Sequence, residues 1–163
     1  MNSRRPAVLF LCTGNSCRSQ MAEGWARYMH GHTIDAYSAG TAPQNVNPRA
    51  IHAMAEVGVD ISSQESKHLN DLSHLHFDLV ITVCDNAASS CPMPPHGSRV
   101  VHVPFDDPPQ LAKDSSTEED ALKHFRRVRD EIKAFVANLP SICKETYPLC
   151  VPDEDQVLGR VNR

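Results

Sequence analysis

Val8-Leu9-Phe10-Leu11-Cys12-Thr13-Gly14-Asn15-Ser16-Cys17-Arg18-Ser19 joins a run of apolar residues to a helix start through a seven-residue loop. Val8 to Leu11 form an uninterrupted apolar run, as expected of a strand buried on both faces. From Ser19 onward, Gln20-Met21-Ala22-Glu23-Gly24-Trp25-Ala26-Arg27 has helical periodicity. Cys12 therefore lies between the C-terminal end of a strand and the N-terminal end of a helix. Five residues separate it from Arg18, enough for the backbone to curl around a tetrahedral anion with its N–H groups inward, while the guanidinium closes the ring bidentately. Gly14 and Asn15 are residue types that accept positive φ in such a curl. Thr13, Ser16, Cys17 and Ser19 complete the candidate oxyanion-binding loop. Its positive potential is expected to hold Cys12 as a thiolate nucleophile, with a pKa in the range of about 3.5–7.5 reached beside arginine at helix N-termini. No Gly-Lys-Ser/Thr follows, which excludes a nucleotide-binding phosphate loop.

Phe77-Asp78-Leu79-Val80-Ile81-Thr82-Val83-Cys84 repeats the arrangement: an apolar strand ending in cysteine. In an open parallel sheet the ligand crevice lies beyond the carboxyl ends of the strands, so Cys12 and Cys84 are expected to approach one site. Cys91 follows after a polar stretch of small residues and is itself followed by Pro92, which stops any helix there. If that stretch were helical, Cys84 and Cys91 would stand about 10 Å apart at 1.5 Å rise per residue, and partial unwinding would bring them together. The chain has six cysteines in 163 residues. A chain of that size can bury an ordinary core without a disulfide framework, and its first residues pass directly into a strand without a secretory signal. Reactive thiols in a reducing, cytoplasmic setting are the expectation.

The alternation of patterns predicts strands near 6–12, 33–38, 77–83 and 99–103. Helices are predicted near 19–30, 48–57 and 117–138, with short helical pieces at 68–74 and 86–90. This implies an α/β fold: a single-domain, four-stranded parallel sheet with helices on both faces, spanning residues 1–140. Residues 141–163 read as a C-terminal tail containing Cys143 and Cys150, whose acidic surroundings favour inert thiols. Net charge of −4 and a pI of about 6.1 argue against a nucleic-acid partner. No apolar run is long enough to suggest a membrane partner. The nine histidines do not combine with cysteine at a zinc spacing, so no metal site is expected.

Cys-Thr-Gly-Asn-Ser-Cys-Arg-Ser-Gln-Met-Ala-Glu-Gly resembles the active-site loop of the low-molecular-weight tyrosine phosphatase superfamily, and specifically that of its thioredoxin-coupled arsenate reductases. The similarity runs from about residue 6 to about residue 138. It implies catalytic roles for Cys12, Arg18, Cys84 and Cys91, with arsenate as substrate, thioredoxin as source of reducing equivalents and no bound cofactor. The Asp107-Pro108 pair resembles the superfamily's general-acid position, leaving Asp106 to cap or brace the loop. A low-molecular-weight tyrosine phosphatase is the alternative. Such phosphatases carry aromatic residues after the Asp-Pro pair, where this chain has Pro109-Gln110-Leu111, and that difference favours a small inorganic oxyanion. Family members often bind potassium beside the loop through Asn, Glu, Ser and Asp. The first three match Asn15, Glu23 and Ser38, but the fourth position is Lys67, whose ammonium can take the cation's place. Cys17 has two readings, a partner for Cys12 under peroxide or a residue packed beneath the loop.

Overall fold

In the computed structural model, residues 4–84 and 98–146 are described. The chain runs β1 (Ala7–Cys12), α1 (Arg18–His30), β2 (Asp35–Gly40), α2 (Pro48–Ala55), β3 (Leu79–Thr82), β4 (Arg99–His102), α3 (Pro108–Leu111), α4 (Glu118–Ala137) and α5 (Leu139–Thr146), with 3-10 turns at Leu69–Leu72 and Ala112–Asp114. All strand pairs are parallel, in the order β2-β1-β3-β4. The predicted strands and main helices are present, each within a few residues of its expected bounds. The helical piece expected at 86–90 lies outside the described residues.

Two elements were absent from the sequence reading. α3 begins directly after Asp107, where two prolines occupy positions that need no backbone donor. α5 crosses the boundary expected at residue 140 and buries Leu139 and Cys143 in the main core. Pro140 in its first turn and Pro148 two residues beyond its end hid its helical character in the sequence.

Alternation along the strands divides the core between the two sheet faces. Val8, Phe10, Leu79 and Ile81 pack against Met21 and Trp25 of α1, Ala53 and Met54 of α2, and Phe125, Val128 and Ile132 of α4. Leu9, Leu11, Ala39 and Val80 form the opposite face with Leu72 and Phe77, so helical structure covers both faces unequally. Each large apolar side chain removed from water in this way contributes about 1.5–3 kcal/mol. The indole N–H of Trp25 donates to the carbonyl of Arg129 at 3.1 Å, fixing α1 against α4 without leaving a buried donor unpaired.

The order in which strands are added reverses between β1 and β3. From β1 the chain crosses first to β2 on one side and later to β3 on the other, leaving a crevice beyond the carboxyl ends of the central pair. Leu11 is level with Thr82 across that pair, so Cys12 and Cys84 both emerge at the crevice. β2 ends beneath the loop after β1 at Gly40. A Cβ there would stand 2.4 Å from the Thr13 carbonyl oxygen and 3.0 Å from that of Cys12, both rigid backbone. Gly40→Ala is therefore expected to cost about 1–3 kcal/mol, as over-packing does, and to loosen the 13–15 loop. Urea denaturation alongside oxyanion binding measures both effects.

Candidate active site

The loop from Cys12 to Arg18 is shaped by the partners of its carbonyl groups. The amides of Ala42, Gln44 and Asn47 donate to the carbonyls of Thr13, Gly14 and Ser16 at 2.9, 2.8 and 2.9 Å. The carbonyl of Asn15 accepts from Ser66 Oγ at 2.6 Å and from Gln20 Nε2 at 3.0 Å. Asn15 is the one non-glycine residue with positive φ, at 46°, among the described residues. This is the left-handed region that asparagine tolerates better than most residues. Its buried side chain is fully engaged: Nδ2 donates to Ser19 Oγ at 2.9 Å, while Oδ1 accepts from Gln20 Nε2 at 3.0 Å and from the Lys67 amide at 2.9 Å.

α1 opens at Arg18 behind an N-cap, Cys17, that makes no side-chain cap hydrogen bond, and its first turn contains no acidic residue. Its first amides and the positive end of its dipole therefore remain directed at the loop. The loop bounds an open pocket of about 270 Å³, lined by residues 12–18 with Gln44, Asn47, Asp107 and Pro109. No aromatic side chain is among these lining residues.

Arg18 reaches across the pocket mouth. Its Nη1 donates to the Phe105 carbonyl at 3.0 Å, and Nη2 lies 3.7 Å from Asp107 Oδ1. Asp107 is extended, as expected of a residue before proline, and about one-third exposed at the pocket edge. Asp106 points elsewhere and accepts from Arg127 of α4 at 2.9 Å, the bracing role anticipated for it.

Cys12 and Cys84 come together as their strand ends predicted: both are buried, Cys84 Sγ donates to the Leu11 carbonyl at 3.9 Å, and the two thiols influence each other's ionisation. That influence reverses the expected ionisation of Cys12. Interaction with the Cys84 thiol, followed by burial, pushes the Cys12 thiol well up, while Arg18 and the Thr13 amide pull it down. Two adjacent thiolates repel, so the buried pair carries at most one negative charge. The sequence reading considered only the loop's positive field, because the neighbouring thiol is brought there by the sheet register. Cys17 is buried and its thiol is also pushed up, mainly by desolvation against the pull of Arg18. It packs beneath the loop. Cys91 and Cys150 lie outside the described residues.

Behind the loop, Lys67 Nζ donates to the carbonyls of Glu65 and Ser38 at 2.8 and 3.0 Å and lies 3.9 Å from Glu23 Oε1. Ser38 Oγ donates to the same carboxylate oxygen at 3.2 Å. Burial pushes the Glu23 carboxyl up, and Arg27, Lys67 and Ser38 counter it. The residues singled out from the sequence as loop support, Glu23, Ser38 and Lys67, thus form one cluster against Asn15. Gln20, Gln44, Gln64 and Ser66 escaped the sequence reading. A helix-borne glutamine and polar loop residues carry no periodic or motif signal that marks them.

Among the described residues, no cluster of three or more His, Cys, Asp or Glu could hold a metal ion, and no helix is long and apolar enough to cross a membrane.

A family model described as low molecular weight phosphotyrosine protein phosphatase matches residues 7–147. The arsenate reductase of Bacillus subtilis strain 168 is 52% identical over 126 residues, covering 77% of this chain and 88% of that protein. The arsenate reductase of Halalkalibacterium halodurans is 49% identical over 128 residues, covering 78% and 90%. Among solved structures, an arsenate reductase in the phosphate-binding state is similar with a TM-score of 0.70 at 33% identity, over 85% of this chain and 98% of that one. A thioredoxin-dependent arsenate reductase from Corynebacterium glutamicum gives 0.64 at 26% identity, over 90% and 65%.

The coupling between the two sulfurs has a measurable sign. Cys84→Ala removes the largest influence raising the Cys12 thiol, so the thiolate should form at lower pH. The midpoint of Cys12 alkylation by iodoacetamide, followed against pH by mass spectrometry, is expected to fall; an unchanged midpoint would show that Cys84 does not govern it.

Proposed function

The chain belongs to the low molecular weight phosphotyrosine protein phosphatase family, and on that premise we propose that it is an arsenate reductase drawing its electrons from thioredoxin. The observation that carries this reading is a second buried thiol, Cys84, delivered by the β1/β3 register to the strand end beside the loop cysteine, where its Sγ meets the Leu11 carbonyl at 3.9 Å. Phosphate-ester hydrolysis needs Cys12, Arg18 and Asp107 but has no use for a second thiol at that place. Reduction of the bound oxyanion does.

Arsenate copies phosphate in shape and charge and enters the loop as phosphate would, held by its amides, the α1 terminus and the fork of Arg18. The Cys12 thiolate attacks arsenic. An oxygen departs as water with the proton supplied by Asp107, leaving a Cys12 sulfur–arsenic(V) bond. The Cys84 thiolate then attacks the Cys12 sulfur, and the electron pair of the sulfur–arsenic bond passes to arsenic. Arsenic(III) leaves as arsenite, and a Cys12–Cys84 disulfide remains. Cys91 attacks Cys84, Cys12 departs as thiolate, and the resulting Cys84–Cys91 disulfide is reduced by the dithiol of thioredoxin. Two electrons pass from two thiols to arsenic in each cycle.

Arg18 and the Thr13 amide pull the Cys12 thiol down against the influence of Cys84 and burial, and they act on the sulfur that must attack first. Bonding of Cys12 to arsenic removes any Cys12 thiolate, so the attack by Cys84 meets no repulsion from a second thiolate beside it. Phosphorus does not accept the electron pair, so phosphate esters meet only the first half of the machinery, giving a weak phosphatase side activity. The pocket lining, without an aromatic wall, supports an inorganic anion over phosphotyrosine. The relay requires a reducing compartment, and the protein is accordingly assigned to the cytoplasm.

NADPH oxidation in the presence of arsenate, thioredoxin and thioredoxin reductase tests the relay. Wild type is expected to turn over continuously, Cys12→Ser and Cys84→Ser not at all, and Cys91→Ser at most once. Sustained turnover in Cys91→Ser would rule the relay out, and inactive wild type with intact aryl phosphate hydrolysis would make the protein a phosphatase. Lys67 fills the family's cation position with its own ammonium. Exchanging sodium for potassium is therefore expected to leave the arsenate turnover rate unchanged, and a marked rise with potassium would remove Lys67 from that role.

A further inference from the structure

In a trans peptide the C=O of one residue and the N–H of the next lie in one plane and point in opposite directions. The carbonyls of Thr13, Gly14, Asn15 and Ser16 all have partners outside the loop. The amides of Gly14, Asn15, Ser16 and Cys17 are consequently turned inward, toward the anion. For three of these four peptides the outer partner is a backbone amide of residues 42–47, which no side-chain substitution removes. The Asn15–Ser16 peptide differs. Its carbonyl is held by two side chains, Gln20 Nε2 and Ser66 Oγ, at the residue whose backbone occupies the left-handed region.

Gln20 is itself held on every side. It is fully buried on α1, its Nε2 also meets the Glu65 carbonyl at 3.1 Å, and its Oε1 accepts from Gln64 Nε2 at 2.8 Å. The latter contact leaves its amide nitrogen, not its oxygen, directed at Asn15. Gln64 Nε2 donates also to the Gln20 carbonyl, at 3.0 Å. A buried amide satisfied so completely orients its neighbours strongly, because every alternative leaves a polar group without a partner.

We propose that Gln20 and Ser66 are positioning residues for oxyanion recognition: they hold the Asn15 carbonyl outward, and so aim the Ser16 amide at the substrate anion, with Gln64 setting the orientation of Gln20. Neither side chain touches the anion. They act through one peptide plane. The inference rests on the loop from Cys12 to Arg18 being the oxyanion site.

The test is the affinity of the reduced protein for inorganic phosphate by calorimetry, with KM and kcat for arsenate measured in parallel and thermal melting recorded for each variant. Gln20→Met keeps the side-chain length and removes the donor, Ser66→Ala removes the hydroxyl, and Ser66→Thr retains it. Gln20→Met and Ser66→Ala are each expected to weaken phosphate binding and raise KM by about tenfold, roughly what one hydrogen bond to a charged group is worth, with kcat changed less than threefold. Ser66→Thr is expected to bind as wild type does, which a loss of packing alone would not reproduce. Should Gln20→Met fail to fold, the Ser66 pair carries the decision. Phosphate binding by both Gln20→Met and Ser66→Ala within twofold of a wild type that itself binds would overturn the positioning role alone. A wild type that binds no phosphate would overturn the oxyanion reading as well.

Discussion

The geometry of a planar trans peptide governs this active site. Four successive amides can face a bound anion only if four successive carbonyls face away from it, and each carbonyl then needs a partner on the far side. The segment after β2 supplies three of them through the amides of Ala42, Gln44 and Asn47, and Gln20 with Ser66 supplies the fourth. Gly40 lets β2 pass close enough for this, since no side chain fits against the Thr13 carbonyl. The loop is held from outside, and its inward donors are in position before any substrate arrives. Preorganisation of this kind reduces the reordering that binding would otherwise require.

Charge is distributed around the loop in two layers. On the pocket side, Arg18, the start of α1 and the inward amides concentrate positive potential where an anion sits, although the chain as a whole is acidic. Behind the loop, the Glu23 carboxylate is buried and pushed up by desolvation, and Lys67 and Arg27 offset that cost. Lys67 ties the layers together: its amide donates to the Asn15 side chain, while its ammonium bridges the carbonyls of Ser38 and Glu65. The cation of this cluster is tethered to the chain itself, with its Nζ 3.9 Å from Glu23 Oε1.

The nearness of Cys84 places a second buried thiol beside the candidate anion-binding loop. The Cys84 sulfur and burial both raise the Cys12 thiol, and Arg18 opposes them. Two adjacent thiolates repel, so the state of one sulfur is felt by the other.

The amino-acid sequence by itself determined the local chemistry. An apolar strand, a Cys-x5-Arg loop and a helix start are contiguous, so the candidate nucleophile, the candidate anion cradle and the arginine placed to close it were readable directly. The parallel α/β class followed from the alternation of patterns, and Asp107 from its place before proline. The raised Cys12 thiol, the attachment of Asp106 to Arg127 and the contacts of Gln20, Gln64 and Ser66 came only with the tertiary structure. The physical reason is common to all of them. Hydrogen bonds and Coulomb forces act over a few ångströms in space, and the groups concerned are 21, 44 and 51 residues apart along the chain for Asp106–Arg127, Gln20–Gln64 and Asn15–Ser66, or engage a backbone carbonyl that has no pattern in sequence. Sheet register and helix packing brought them within reach, and that juxtaposition exists only once the core has formed.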